Sequence, residues 1–188
     1  MPSTVTPLRV NQAITALDCS GVIACPTEAV WGLSCDPVDE MAVERLLQLK
    51  HRSPSKGLIL VAADVAQLSA LFDALPRPQY AKLTLSWPGP TTWLVPHRGL
   101  VPHWIHGDHD TVAIRVSSHP VVRALCWAWG GPLVSTSANP AHCQPPVELF
   151  QVRRYFANRL DYILPGAVGD SDRPTTIRDL NSDRIIRS

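Results

Sequence analysis

The chain has 188 residues, of which 45% are hydrophobic and 18% are charged, and this composition excludes a disordered polypeptide. No apolar run approaches the roughly 18 residues of a membrane helix. A formal net charge of +1 excludes a globally basic nucleic-acid binder, although local basic patches stay compatible with it. Neither a basic n-region nor an apolar h-region opens the sequence, so we expect a cytoplasmic protein.

Apolar spacing and turn residues predict alternating helices and strands, which indicates one α/β domain over residues 1–188. In chain order, the first half contains a helix from Thr6 and Pro7 through Leu17, a strand at 22–25, a helix from Asp36 and Pro37 to about Lys50, a strand at 57–62 covered on both faces, a helix capped by Asp64 and a short helix before Trp87. The second half contains strands at 91–96 and 111–116 separated by a loop, a helix at 119–129, a strand at 132–136, a helix at 147–156, a strand at 161–164 and one or two short strands in the tail.

Cysteine usage argues against a zinc or redox site. The five cysteines form no C-x-x-C pair, which favours reduced thiols that mostly fill the core.

Four polar clusters lie in or just after strands, where open α/β sheets form ligand crevices. The first, Pro26 to Glu28, is by itself more typical of a turn or helix start. The second, KHRSPSKG, places Lys50, Arg52 and Lys56 within seven residues and without an acid. Such a run is often a solvated face, but at a strand mouth these cations suit a phosphate.

The third cluster is Arg115 in the strand TVAIRV, with Thr111 at the start of that strand. A buried arginine needs a partner, so Arg115 either forms a structural ion pair or binds a ligand carboxylate or phosphate. The fourth cluster is STSAN, whose Ser135, Ser137 and Asn139 can bind phosphate or carboxylate oxygens without adding charge. Local turn chemistry is the alternative for these side chains.

Other chemistries fit less well. The loop PHWIHGDHD contains His103, His106, Asp108, His109 and Asp110, which are possible metal ligands, but it lies in a Gly/Pro-rich segment, and we predict no metal site. The sequence has no nucleophile elbow, P-loop or GxGxxG turn.

Five blocks in order resemble the YrdC-like family, in the short form of its threonylcarbamoyl-AMP synthases. They are PTEAVWGLSCDP, LKHRSPSKGLILVA, WPGPTTWLVP, VAIRV followed by HP, and PLVSTSANP. The resemblance implies a single YrdC-like domain with a twisted mixed sheet, flanking helices and a concave basic cleft. This sequence departs from the family pattern at Val61, where many relatives have histidine, and at Ala141 and His142, where Ser and Gly are usual.

The resemblance also implies a nucleotidyltransferase that forms L-threonylcarbamoyladenylate and diphosphate from L-threonine, bicarbonate or carbon dioxide, and ATP with Mg²⁺. A partner complex would use the product for the t6A modification of tRNAs that read codons beginning with A. Catalysis by positioning and charge needs no protein nucleophile. The alternative is an RNA-binding module of the same type, in which the basic loop and Arg153 and Arg154 contact phosphates.

By the same resemblance, individual residues have expected roles. Threonine would be bound by Thr27, Arg115, Ser135 and Thr175. ATP would be surrounded by Lys50, Arg52, Lys56, Thr111, Ser137, Asn139, Pro145 and Arg187, of which Lys50, Arg52 and Lys56 would also be catalytic.

Overall fold

A computed structural model describes residues 5–171 and 175–187 of the chain as alternating helices and strands. The helices are α1 (Pro7–Asp18), α2 (Glu40–Lys50), α3 (Ser69–Phe72), α4 (Arg77–Ser86), α5 (His103–His106), α6 (Pro120–Trp129) and α7 (Leu149–Phe156). The strands are β1 (Ile23–Pro26), β2 (Trp31–Ser34), β3 (Ile59–Ala62), β4 (Thr91–Pro96), β5 (Thr111–Val116), β6 (Leu133–Ser137), β7 (Tyr162–Ile163), β8 (Thr176–Asp179) and β9 (Ile185–Arg187). In these two ranges, no helix is long and apolar enough to cross a membrane.

The strands form one sheet in the order β7-β1-β2-β6-β3-β5-β4-β8-β9. β3 and β5 are parallel at its centre, whereas β6 is antiparallel to both β2 and β3. The predicted mixed α/β sheet with flanking helices is therefore confirmed.

Successive residues of a strand point to opposite faces of the sheet, and each face has its own core. Leu60, Ile114 and Val134 belong to the larger core on one face. Val61 and Leu133 belong to a smaller core on the other face, together with buried residues of α1 and α6. The continuous apolar run of β3 is thus covered on both sides, as its pattern predicted.

Two helices begin later than predicted, because a local side chain caps each start. Asp36 accepts a hydrogen bond from the backbone of Val38 and forms a turn, and Asp39 caps α2 by accepting from the backbone N–H of Ala42 at 3.1 Å. Glu148 caps α7 in a reciprocal capping box.

Strand β2 was not predicted. Its four residues, WGLS, are all buried, and they pair with β1 and β6. Only Trp31 and Leu33 are apolar enough to signal a strand, and they are separated by Gly32. The strand is stabilised by its two neighbours rather than by local preference, which is why the pattern did not reveal it.

The cysteines are free thiols, as predicted. Cys25, Cys35 and Cys126 are buried, whereas Cys19 and Cys143 are exposed. Burial raises the pKa of Cys25 and of Cys126 to about 12, so these two thiols stay protonated at neutral pH.

Candidate functional site

Part of the sheet face that carries the smaller core is open and forms the floor of a cavity of about 360 Å³. α1 and α6 cover the ends of the strands that carry Val61 and Leu133. Two residues away on the same strands, Ile59 and Ser135 line the cavity, and Ile59 is in register with both Ser135 and Ala113. The cavity therefore occupies the area that these two helices leave uncovered.

Most of the predicted substrate residues surround this cavity. Its lining includes Thr27, Arg52, Lys56, Thr111, Arg115, Ser135, Ser137, Pro145, Thr175 and Arg187. Within the described part of the chain, Lys50 and Asn139 do not belong to the lining. The roles of all these residues toward ligands stay predictions.

The cavity has a buried part, which we call the deep end. It consists of Thr27, Arg115, Ser135 and Thr175, each at most 7% exposed. Nη1 of Arg115 donates to Oγ1 of Thr175 at 3.2 Å, and this hydroxyl lies 3.0 Å from Oγ1 of Thr92. The hydroxyl of Ser135 has no hydrogen-bond partner among the described residues, so it is available to a ligand.

Arg115 also forms a buried ion pair with Glu28, a residue to which the sequence analysis gave no role. Nη2 of Arg115 lies 3.3 Å from Oε2 of Glu28, and Oγ of Ser117 donates to Oε1 of Glu28 at 2.5 Å. Burial acts to raise the pKa of Glu28, but the charge of Arg115 and the hydrogen bond from Ser117 outweigh it and lower the pKa. Arg115 therefore forms the predicted ion pair and also lines the cavity, and its binding of a ligand stays a prediction.

The other predicted substrate residues in the lining form what we call the rim of the cavity. The rim consists of Arg52, Lys56, Thr111, Ser137, Pro145 and Arg187, all half-buried or exposed. Burial and the charge of Arg187 lower the pKa of Arg52, and burial and the charge of Arg115 lower that of Arg187. Among the described residues, none of the three rim cations has an acidic partner, so the rim is suited to an anion.

Lys50 is buried, and it holds one wall of the cavity. Its Nζ donates to the backbone carbonyls of Ser137 and Asn139, the second at 2.8 Å, and its own carbonyl accepts from the N–H of Ala141 at 2.7 Å. Burial, helped by the charge of Arg52, lowers the pKa of Lys50 to about 8.

Asn139 stabilises the turn that follows β6. Its Nδ2 donates to the carbonyls of Pro140 and Cys143 at 3.0 and 2.8 Å. The cluster STSAN is thus divided: the amide of Asn139 shapes the turn, as the turn-forming alternative has it, whereas Ser135 and Ser137 line the cavity.

In the described part of the chain, the histidine-rich loop brings no three possible metal ligands together. His97 and His106 stack at 3.8 Å between ring centroids, and His103 lies 3.7 Å from Asp108. His106 and His109 also line the cavity, although the sequence analysis gave them no substrate role.

Comparisons with known proteins agree with one another. A family model for Sua5, yciO and yrdC, described as telomere recombination, matches residues 15–188. A threonylcarbamoyl-AMP synthase of Pseudomonas entomophila is 50% identical over 183 residues, which cover 97% of this chain and 98% of that protein. A threonylcarbamoyl-AMP synthase of Stutzerimonas stutzeri is 53% identical over 179 residues, covering 95% and 96%.

Solved structures share the fold. A crystal structure of P. abyssi Sua5 complexed with L-threonine has a TM-score of 0.86 at 29% identity and is matched over 94% of this chain. This chain spans 52% of that protein, or about half its length. The crystal structure of E. coli YciO has a TM-score of 0.87 at 25% identity, covering all of this chain and 92% of the other.

Proposed function

Because the chain belongs to the Sua5/YciO/YrdC family, we propose that it is a threonylcarbamoyl-AMP synthase. It would act as a nucleotidyltransferase that makes L-threonylcarbamoyladenylate and diphosphate from L-threonine, bicarbonate or carbon dioxide, and ATP. The observation that carries the proposal is a single cavity with a buried guanidinium among hydroxyl groups at its deep end and cations around its rim.

Threonine would bind at the deep end. Arg115 can pair with a carboxylate, while the free hydroxyl of Ser135 can bind the amine or the side-chain hydroxyl. Oγ1 of Thr27 donates to the carbonyl of Val30 at 2.7 Å and keeps its lone pairs for a ligand donor. P. abyssi Sua5, which has the same fold, was crystallised with L-threonine, and this supports threonine as the amino-acid ligand.

ATP would bind at the rim. Arg52 offers a fork of N–H donors and Lys56 a compact charge for the phosphates, and Arg187 adds a third cation. The hydroxyls of Thr111 and Ser137 would complete the contacts, and Lys50 and Asn139 would act mainly through the wall that they hold.

The reaction would proceed in two steps without a protein nucleophile. The unprotonated amine of threonine attacks the carbon of carbon dioxide, and a carbamate forms with release of a proton. Attack on bicarbonate gives the same carbamate with loss of water and without net release of a proton. A carbamate oxygen then attacks the α-phosphorus of ATP, and the bond from this phosphorus to the bridging oxygen breaks, so diphosphate leaves. The rim cations would stabilise the negative charge that develops on the phosphates.

Mg²⁺ would arrive with the nucleotide rather than occupy a site of its own. The cavity lining has one carboxylate in the described ranges, that of Glu28, and it is engaged by Arg115 and Ser117. The lining therefore does not fit a resident Mg²⁺, which prefers free oxygen ligands and substrate phosphates.

The product would serve a partner complex for the t6A modification of tRNAs that read codons beginning with A. This role places the protein in the cytoplasm, where tRNA and ATP are both available.

The direct test is diphosphate release from ATP by the purified protein, with a trap for the product. We expect release that requires both threonine and bicarbonate. Arg52→Gln should lose most of it, whereas Arg9→Gln, which removes an exposed cation of α1, should behave like the wild type. Release that is independent of threonine or of bicarbonate would rule out the synthase.

RNA binding is the second candidate, because Arg153 and Arg154 are exposed in the last turn of α7. It predicts an RNA affinity that falls steeply with salt and that Arg153→Ala with Arg154→Ala weakens. RNA binding that does not depend on salt, or no RNA binding, would rule out the second candidate and keep the synthase as the proposed function.

A further inference from the structure

Glu28 is the acidic residue of the cavity lining in the described ranges, and its carboxylate is in contact with protein groups rather than free for a substrate. Oε1 accepts a hydrogen bond from Ser117, whereas Oε2 has no hydrogen-bond partner among the described residues and faces Nη2 of Arg115 in an ion pair at 3.3 Å. Oε2 is buried, as are the side chains of Glu28 and Arg115, each 7% exposed. A ligand would thus reach the guanidinium rather than this oxygen.

The partners of Glu28 are themselves fixed. Oγ of Ser117 accepts a hydrogen bond from the backbone N–H of His119 at 3.1 Å, so this hydroxyl is held while it donates to Glu28. The carbonyl of Glu28 accepts from the N–H of Ser171 at 3.1 Å. A Cβ on Gly169 would lie only 2.8 Å from that carbonyl oxygen, so the neighbouring segment packs tightly against residue 28.

The guanidinium is held from two directions. Nη2 forms the ion pair with Glu28, and Nη1 donates a hydrogen bond to Thr175 at 3.2 Å. The Nε atom is buried and has no hydrogen-bond partner among the described residues. An arginine has several rotatable bonds, and holding it in one orientation before a ligand binds reduces the entropy lost on binding. Two partners on different nitrogens supply that restraint.

We propose that Glu28, braced by Ser117, is a positioning residue that orients Arg115 for the carboxylate of the amino-acid substrate. The inference deepens the proposed function and rests on it. Glu28 acts only through Arg115, so its influence should be confined to the amino acid and should not extend to the nucleotide at the rim.

Glu28→Gln tests the proposal because it keeps the size of the side chain and removes its charge. We expect the KM for threonine, and its Kd by calorimetry without ATP, to rise roughly tenfold, because the neutral amide no longer attracts the charge of Arg115 across the ion pair. The KM for ATP should stay within about twofold of the wild type, since Glu28 contacts no rim cation. Glu28→Asp keeps the charge and should recover part of the threonine affinity.

Ser117→Ala is the milder variant, since it leaves the ion pair and removes one brace. It should raise the Kd for threonine by roughly threefold, as expected for a lost hydrogen bond. A threonine affinity unchanged in both variants would overturn the proposal, and so would equal increases in the KM values for threonine and ATP accompanied by a lower Tm.

The proposed function is tested separately by the wild type. If the wild type binds threonine but releases no diphosphate, the synthase proposal is wrong, and the threonine Kd values measured by calorimetry alone decide the role of Glu28. If the wild type does not bind threonine, both proposals are wrong.

Discussion

The deep end and the rim of the cavity differ in whether their cations are paired with an acid. At the deep end, Arg115 is buried and neutralised by Glu28. At the rim, burial and the charge of Arg187 lower the pKa of Arg52, and neither arginine has an acidic partner among the described residues. A neutralised, braced cation provides orientation, whereas uncompensated cations provide attraction for an anion.

Removing the deep-end cation should have the largest effect. Arg115→Met leaves the carboxylate of Glu28 buried without its partner, so we expect the free energy of unfolding to fall by about 3–5 kcal/mol. The activity should fall by at least roughly a hundredfold, because the substrate would no longer be oriented. Denaturant unfolding and diphosphate release measure the two quantities.

Its control is the double variant Arg115→Met with Glu28→Gln. This variant has no buried charge, so it should regain part of the stability but none of the activity. Equal stability losses in the single and double variants would mean that the ion pair does not couple the two residues.

Lys50→Met should come next, because it removes the donor that joins the carbonyls of Ser137 and Asn139. The carbonyl of Ser137 keeps the N–H of Asn139 as a donor, whereas the carbonyl of Asn139 loses the donor from Lys50. Losing both hydrogen bonds of Lys50 should lower the free energy of unfolding by about 2–3 kcal/mol at pH 7. The wall of the rim would be displaced, so the KM for ATP should rise as well. Stability equal to that of the wild type would show that Lys50 does not hold this wall.

The titration of Lys50 gives this variant a pH signature. Its pKa is about 8 in the folded protein, against an ordinary value of 10.5. Between these values the unfolded state binds more protons, so the contribution of Lys50 to stability increases with pH in this window and is constant below it. The stability difference between the wild type and Lys50→Met should therefore grow by about 2 kcal/mol from pH 8 to pH 10, measured by denaturant unfolding. A constant difference would contradict a buried, titrating Lys50.

Substitutions of Ser137 and Asn139 distinguish a residue that contacts the ligand from one that stabilises the turn after β6. Ser137→Ala should reduce activity roughly tenfold and change the free energy of unfolding by less than about 0.5 kcal/mol, because its hydroxyl faces the cavity. Asn139→Ala should cost about 1–2 kcal/mol, because its amide joins two backbone carbonyls. The reverse order of stability losses would make Ser137 the turn former.

The sequence predicted elements where the local pattern is long, such as the apolar run of β3 and the alternation in β5. It missed β2, whose four residues depend on neighbouring strands for their conformation. It also identified Arg115 as needing a partner but not which acid that is, because Glu28 reaches it only through the fold. The contacts of the Lys50 side chain were equally unpredictable, since they are with backbone carbonyls 87 and 89 residues further along the chain.

Substitution of Lys56 should have the smallest effect on stability and activity, and it tests only the electrostatic attraction of the rim for an anion. Lys56 is exposed and lines the cavity, so Lys56→Ala should change the free energy of unfolding by less than about 0.5 kcal/mol. The KM for ATP should rise by roughly threefold at low ionic strength and less at high salt, because salt screens exposed charges. The KM for threonine should not change, and Lys56→Arg should keep the wild-type value for ATP. Equal increases for both substrates would mean that the rim and the deep end do not act separately, and that the contrast between them describes packing rather than substrate binding.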